Sequence, residues 1–395
     1  MRGSIHDPTD RETQASIARG VMTVDRDPIL HSVLEVAAGH DTMSTAGKFA
    51  HVAGGSDIAK IPYDEFKAML MDPEIPDSKI APYLKAIPEA SGPFDPQFVP
   101  DPDKVEMTRA GEFDVESALR WANSICRWRR QERFKSRVGQ QGETRPVLVS
   151  EGDSWFQFPF LIDDVIDQLN QDYLIWSLDA AGDSIDDMVN RNPEYMTKGL
   201  NLQKANKVAG FLFSAAGNDV IGKDPDGKSV LRTLIKPFSP DKDAAAHIDN
   251  AQLAAVLYRL ETDYRKVIAT IRRDHDFARL PLFFHGYDYA VPGGFTGDKR
   301  NPIYVGQDEW LGAPLVEKGI TDVTLQREII RRLVDSLYDM LFKVAGNASD
   351  TFIHIVDVRG TLQIGNDEWA DEIHGTSAGF KKVGKLFQNA IDSAI

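Results

Sequence analysis

A chain of 395 residues, 42% of them hydrophobic, is long enough to bury a sizeable core and too apolar for wholesale disorder. Its formal charge of −15 argues against nucleic acid or an anionic membrane as the main partner. One cysteine, Cys126, excludes an intramolecular disulfide framework and fits a reducing compartment. Met1 to Asp27 lacks the apolar core of a signal peptide, and no apolar run approaches the roughly 20 residues that span a bilayer. The expectation is a cytoplasmic protein with no transmembrane segment, export by a signal-independent route being left open.

Residues 1–140 and 141–395 read as two regions. In the first, amphipathic stretches such as Ile29–Ala38 and Tyr63–Leu70 alternate with loops, which predicts a mainly helical, loop-rich region of undefined role. Eight of the chain's 21 prolines fall between Pro73 and Pro102, predicting an extended, wrapped segment. A helix follows from about Asp114, its N-cap, to Arg137, with Val115, Leu119, Ala122, Ile125 and Cys126 on its apolar face.

From Pro146 onward, short apolar or β-branched runs alternate with helices. The runs are Val147–Ser150, Tyr173–Leu178, Val208–Phe213, Leu280–Phe284 and Thr351–Val356. The helices are about Pro159–Leu169, Ala244–Arg273, Thr321–Val344 and Ser377–Ala394. Such alternation implies right-handed crossovers and a parallel sheet covered on both faces. Residues 222–243 and 286–319, rich in Gly, Pro and Asp, fit neither element and are long loops of the kind that carry function or stay disordered.

In open α/β sheets the reactive groups gather at the carboxyl ends of the strands. After the first strand comes Glu151-Gly152-Asp153-Ser154-Trp155, where glycine permits a tight turn and a serine hydroxyl arrives near a helix N-terminus. After the second stands Gly182, whose amide can face the same crevice, and after the third Gly217-Asn218-Asp219 offers a side-chain amide. Asp371-Glu372-Ile373-His374 precedes the last helix, and a spacing of three can put Asp371 and His374 on one turn. A serine, an imidazole to take its proton, a carboxylate to orient the imidazole and amide donors for an oxyanion are the parts that acyl transfer needs.

These four segments resemble, in order, the four sequence blocks of SGNH (GDSL-like) hydrolases. The resemblance covers roughly residues 146–395. It implies a three-layer α/β/α sandwich of flavodoxin-like type with a five-stranded parallel sheet. It also implies Ser154 as nucleophile, His374 as base, Asp371 as its partner, and an oxyanion hole made by the Ser154 amide, Gly182 and Asn218. The chain departs from the family pattern at Trp155, at Asp183 after the glycine, at the adjacency of Gly217 and Asn218, and at Gly375 after the histidine.

Three other patterns fail on context. Gly222 to Ser229 matches the phosphate loop, but that loop must leave a strand directly, and Asp224 and Asp226 would sit beside phosphate. Gly375 to Gly379 matches a nucleophile elbow, yet no histidine follows His374; Ser377 reads instead as the N-cap of the final helix. Asp224, Asp226 and Gly227 hint at a calcium loop whose twelfth position is Ile235 rather than glutamate. None of the nine histidines has zinc-ligand spacing backed by Cys or Glu, so neither a metal nor a cofactor is expected. His285 and His354 read as core histidines, with a place in the pocket as the alternative for His285.

The helix ending at Arg137 carries Arg120, Arg127, Arg129, Arg130, Arg133, Lys135 and Arg137 among Trp121, Trp128 and Phe134. In a chain this acidic, pairing with its own carboxylates is favoured over binding acidic lipid, an acidic partner or nucleic acid. The reading is therefore a serine esterase for a small-molecule or lipid ester. Trp155, Phe156, Phe158, Tyr287, Tyr289 and Trp310 are expected to form an apolar wall for an acyl chain or aromatic group. A lipase or phospholipase docked through residues 114–137, and a non-catalytic interaction or effector module, are the competing readings.

Overall fold

The computed structural model describes residues 59–86, 98–106, 118–222, 229–293, 300, 310–346, 352–365 and 367–395, the side chains of 118–121 excepted. The stretch Ile29–Ala38, the Asp114 cap with Val115, the side chains of Leu119, Arg120 and Trp121, and most of the phosphate-loop and calcium-loop look-alikes lie outside them. Five segments form one sheet: β1 (Val147–Gly152), β2 (Leu174–Ser177), β3 (Gly210–Ser214), β4 (Leu282–His285) and β5 (Ile353–Val356). Every pairing is parallel and the order is β2-β1-β3-β4-β5. This is the three-layer sandwich and flavodoxin-like strand order expected from the sequence.

The strands are buried because alternate residues feed opposite faces of the sheet. Leu148, Ile175, Leu212 and Phe283 join one core, while Val147, Val149, Trp176, Phe211, Phe213 and Phe284 join the other. The first core is closed by α2 (Val165–Leu169) and α7 (Ser377–Ala394), the second by α5 (Asn250–Arg272). The long α6 (Val323–Gly346) contributes to both, through Ile330 and Val334 to the first and Leu341 and Val344 to the second. In this strand order the chain reverses its direction of growth between β1 and β3, which opens a crevice at their carboxyl ends. Register sets those ends level, with Gly152 opposite Ser214 and Ser214 opposite His285.

Three local expectations change. The helix predicted over Pro159–Leu169 begins only at Val165, because Phe160 takes a left-handed backbone (φ 60°) and Asp164 caps the amides of Ile166 and Asp167. The N-cap of α7 is Thr376, which accepts from the Gly379 amide at 3.1 Å, whereas Ser377 accepts from the Asp163 amide at 2.9 Å. The proline-rich stretch folds back on itself instead of only wrapping: Leu84–Ala86 pairs antiparallel with Phe98–Pro100.

Helix α1 (Ala118–Arg137) lies between this N-terminal layer and the sheet edge. Ala122, Ile125 and Cys126 pack with Phe66, Leu70, Ile80 and Phe98, while Phe134 meets the Trp176 ring of edge strand β2 at 5.3 Å. Three of its cations turn inward. Arg129, 0% exposed, donates to the carbonyls of Met69, Leu70, Asp72 and Ile75 and pairs with Asp77. Arg130 pairs with Asp164 at 2.5 Å and Asp167 at 2.8 Å, and Arg127 with Glu194 at 2.8 Å. These three arginines are thus spent inside the molecule and are lost to any docking surface on residues 114–137: burial of an arginine favours such saturation over a solvent-facing charge. Among the described residues no helix is long and apolar enough to cross a membrane.

Candidate active site

Strand β1 ends at Gly152, where an added Cβ would lie 2.7 Å from the Phe156 ring and 2.9 Å from Ser214 Cβ. Only glycine lets the chain turn there, and Ser154 follows at the crevice. A second turn, closed by an antiparallel bridge between Trp369 and Gly375, holds the acid and the base. Asp371 Oδ1 accepts the amides of Ile373 (2.8 Å) and His374 (2.7 Å), which leaves Oδ2 free for His374 Nδ1 at 2.7 Å. His374 Nε2 lies 2.7 Å from Ser154 Oγ. A carboxylate only accepts, so Nδ1 carries the hydrogen and the Nε2 lone pair faces the serine hydroxyl. Ser154 and Asp371 are 1% exposed and His374 0%, and Phe158 packs edge-on against the imidazole at 4.8 Å. This line of donors and acceptors can draw the proton from Ser154.

The loops after β2 and β3 are laced together. Asn218 Nδ2 donates to the Asp183 carbonyl at 2.5 Å, and Asp219 accepts the Ile185 amide at 2.9 Å. The bond to a carbonyl fixes which end of the Asn218 amide is nitrogen and leaves its second hydrogen unused. Gly182 has a φ of 94°, a conformation suited to glycine, and Ala216, just before Gly217, reaches 97° without being one. Burial pushes the Asp183 carboxyl up to about 7 and the Asp219 carboxyl up to about 6, against the pull of Arg127 and of the Ile185 amide respectively.

Beneath Ser154 runs a polar network that the sequence did not reveal. Asp153 accepts from the Trp155 amide (3.1 Å), from Ser214 Oγ (2.8 Å) and from the Tyr287 hydroxyl. Tyr287 in turn accepts the Gly217 amide at 2.8 Å. His285 Nε2 lies 2.8 Å from Ser214 Oγ, its ring stacked on Phe156, and burial pushes its pKa down to about 3. His285 is therefore a neutral core histidine, and His354 likewise stacks on a core ring, Phe283.

Glu372 is a second residue that the sequence left unread, being a variable position inside the Asp-x-x-His block. It is buried and accepts the amides of Gly293 (2.5 Å), Gly312 (2.8 Å) and Leu311 (2.8 Å). Burial pushes its carboxyl up while these amides pull it back.

Of the six residues expected to form an apolar wall, Trp155 and Tyr287 line a cavity together with Gly217 and Ile373. Phe156 instead packs under the sheet against Phe387, and Phe158 against His374. Tyr289 bonds Asp335 at 2.9 Å, and Trp310 is buried in the core cluster. Neither of these two lines the cavity, because Tyr289 reaches toward α6 and Trp310 packs into the core. Among the described residues no group of three or more His, Cys, Asp or Glu side chains is placed to hold a metal ion.

No family model and no curated protein matches the chain. Solved structures do match it. They include GDSL/SGNH-like lipases and esterases. A lipase from a goat rumen metagenome is 11% identical over 62% of this chain and 97% of its own, with a TM-score of 0.37. A candidate SGNH hydrolase from Slackia heliotrinireducens is 10% identical over 63% of this chain and 100% of its own, with a TM-score of 0.37. A variant of an acetyl-xylooligosaccharide esterase from Geobacillus Stearmophilus is 14% identical over 62% and 94%, at 0.33. Likeness this distant concerns architecture alone, and the chemistry has to be read from the side chains.

Proposed function

We propose that the chain is a serine hydrolase that cleaves carboxylic esters through an acyl-enzyme. The observation that carries this reading is the buried line Asp371–His374–Ser154, with both links at 2.7 Å. Ser154 Oγ attacks the ester carbonyl while His374 Nε2 takes its proton, and Asp371 stabilises the imidazolium so formed. The Ser154 amide, the Gly182 amide and the unused hydrogen of Asn218 receive the oxyanion. His374 then hands its proton to the leaving alcohol, and a water molecule activated by the same imidazole releases the acid.

The test is turnover of p-nitrophenyl esters by wild type and Ser154→Ala, with labelling by a fluorophosphonate. Hydrolysis and labelling that both vanish in Ser154→Ala support the assignment. Activity that survives the substitution overturns the nucleophile, and a wild type that is neither active nor labelled overturns the enzyme reading in favour of a non-catalytic module. Docking to lipid through α1 loses support from the internal pairing of Arg127, Arg129 and Arg130.

A further inference from the structure

A cavity of about 70 Å³ lies against the candidate active site, walled by apolar side chains. Three of its walls are the chain neighbours of the proposed catalytic groups: Trp155 follows Ser154, Gly217 precedes Asn218 and Ile373 precedes His374. Its far wall is α6, through Ile330 and Val334. Among the described side chains of the lining only those of Trp155 and Tyr287 bring a polar atom, and both atoms are engaged. Trp155 Nε1 donates to the Ile373 carbonyl at 3.0 Å, and the Tyr287 hydroxyl lies between Asp153 and Gly217. Among the described residues, no side chain of the lining is left to receive a sugar hydroxyl or a charge. An apolar hollow of this kind forgoes packing that the side chains around it could make, so one placed here asks for a reason in function.

We infer that this cavity is the pocket for the acyl part of the substrate, and that the acyl group is a straight aliphatic chain. The inference rests on the ester-hydrolase reading. A carbonyl carbon held at Ser154 Oγ has this space on the Trp155 side, and an alkyl chain exchanges water for the carbon surfaces of Ile330 and Val334. The volume favours a narrow guest: it is roughly half that of a cavity of about 150 Å³ that takes benzene, so a straight chain fits it better than a ring.

The experiment compares kcat/KM for p-nitrophenyl acetate, butyrate, hexanoate, octanoate and benzoate. In wild type, kcat/KM should rise roughly fourfold per methylene from acetate until the cavity is full, with benzoate below butyrate. Val334→Phe, which fills the cavity, should lower the butyrate-to-acetate ratio about tenfold, and Ile330→Ala, which enlarges it, should move the optimum to a longer chain. A profile that is flat or favours acetate in wild type overturns the inference. So does a folded Val334→Phe with an unchanged ratio, and if that variant fails to fold, an unmoved optimum in Ile330→Ala has the same force. Labelling of wild type at Ser154 together with a flat profile removes the acyl pocket and spares the hydrolase. Absence of both labelling and turnover removes the two together.

Discussion

The Tyr287 hydroxyl donates to the carboxylate of Asp153 while accepting the Gly217 amide, so one side chain from the loop after β4 ties the loop of Ser154 to the loop of Asn218. Both ends matter, because Ser154 follows Asp153 and Asn218 follows Gly217. Removing the hydroxyl leaves a buried amide without its acceptor and a buried carboxylate with one donor fewer. Tyr287→Phe is expected to destabilise the protein by about 2 kcal/mol, read as a lower urea midpoint at unchanged m-value. It should also lower kcat for p-nitrophenyl butyrate about tenfold, with a smaller change in KM, since the donors and the nucleophile lose their common reference.

Asp371 holds the imidazole by two means, through Oδ2 on Nδ1 and through the turn that Oδ1 makes with the amides of Ile373 and His374. Asp371→Asn would keep the size of the side chain but offer an N–H donor to one of these partners. The imidazole would be left to adopt the wrong tautomer or to tilt away from Ser154. A fall in kcat of about ten-thousandfold is expected, with fluorophosphonate labelling slowed in proportion. Labelling at the wild-type rate would contradict the role given to Asp371.

The sheet and the four candidate site segments were legible because both depend on local pattern. Apolar runs such as Val147–Ser150 report burial on two faces, and Gly152, Ser154, Asn218 and His374 each sit directly after or between elements that position them. The contacts of Glu372 and Tyr287 were not legible in the same way. Glu372 reaches amides 60 to 79 residues away in sequence, and Tyr287 bridges to a residue 134 positions earlier. No periodicity encodes such partners. The packing of the six aromatic residues was not legible for a related reason: an aromatic residue near a strand end has two faces of the sheet to choose from, and Phe156 takes the one packed by α7.

Asp183 lies beside Gly182, with its own carbonyl held by Asn218, and burial pushes its carboxyl up to about 7. Arg127 lowers it, while Asp187, Glu194 and Asp153 add to the rise. A carboxylate next to the proposed oxyanion donors opposes a second negative charge. Activity should therefore decline as pH rises through about 7, and Asp183→Asn should abolish that decline. The stability effect has the same sign. Below the unfolded value near 3.8 both states are protonated, and above it the folded protein alone resists ionisation, so wild type loses stability as pH climbs toward about 7. Partial exposure screens this cost, and Asp183→Asn should be more stable than wild type by about 1 kcal/mol at pH 8 and equal to it near pH 4, by urea denaturation.

Arg129, itself buried, joins the N-terminal layer to α1 with four carbonyls and Asp77. Arg129→Met would fill much of the same space yet leave those acceptors and a carboxylate unpaired. A loss of about 3–5 kcal/mol is expected, and it should fall first on residues 59–106. Limited proteolysis of the variant should cut that segment while the sheet domain persists as a fragment. Cleavage no faster than in wild type would mean that the layer is held by its apolar contacts instead.

Glu372 draws three amides from two points of the chain, Gly293 on one side and Leu311 and Gly312 on the other, onto a carboxylate one residue from Asp371. It thereby sets where the segment between them begins and ends relative to the Asp371–His374 turn. In Glu372→Gln one oxygen becomes a donor and faces an N–H, so at least one buried amide loses its acceptor. A destabilisation of about 2–3 kcal/mol follows. Its pH dependence identifies the cause. Burial holds the Glu372 carboxyl above its ordinary value, so wild type keeps the whole of this contribution below about pH 4.5 and gives part of it up as pH rises and the group ionises. The gap between wild type and variant should therefore be wider at pH 4.5 than at pH 8. A gap that instead widens toward pH 8 would show the ionised form to be the one that the three amides stabilise, and burial to be the weaker influence at this site.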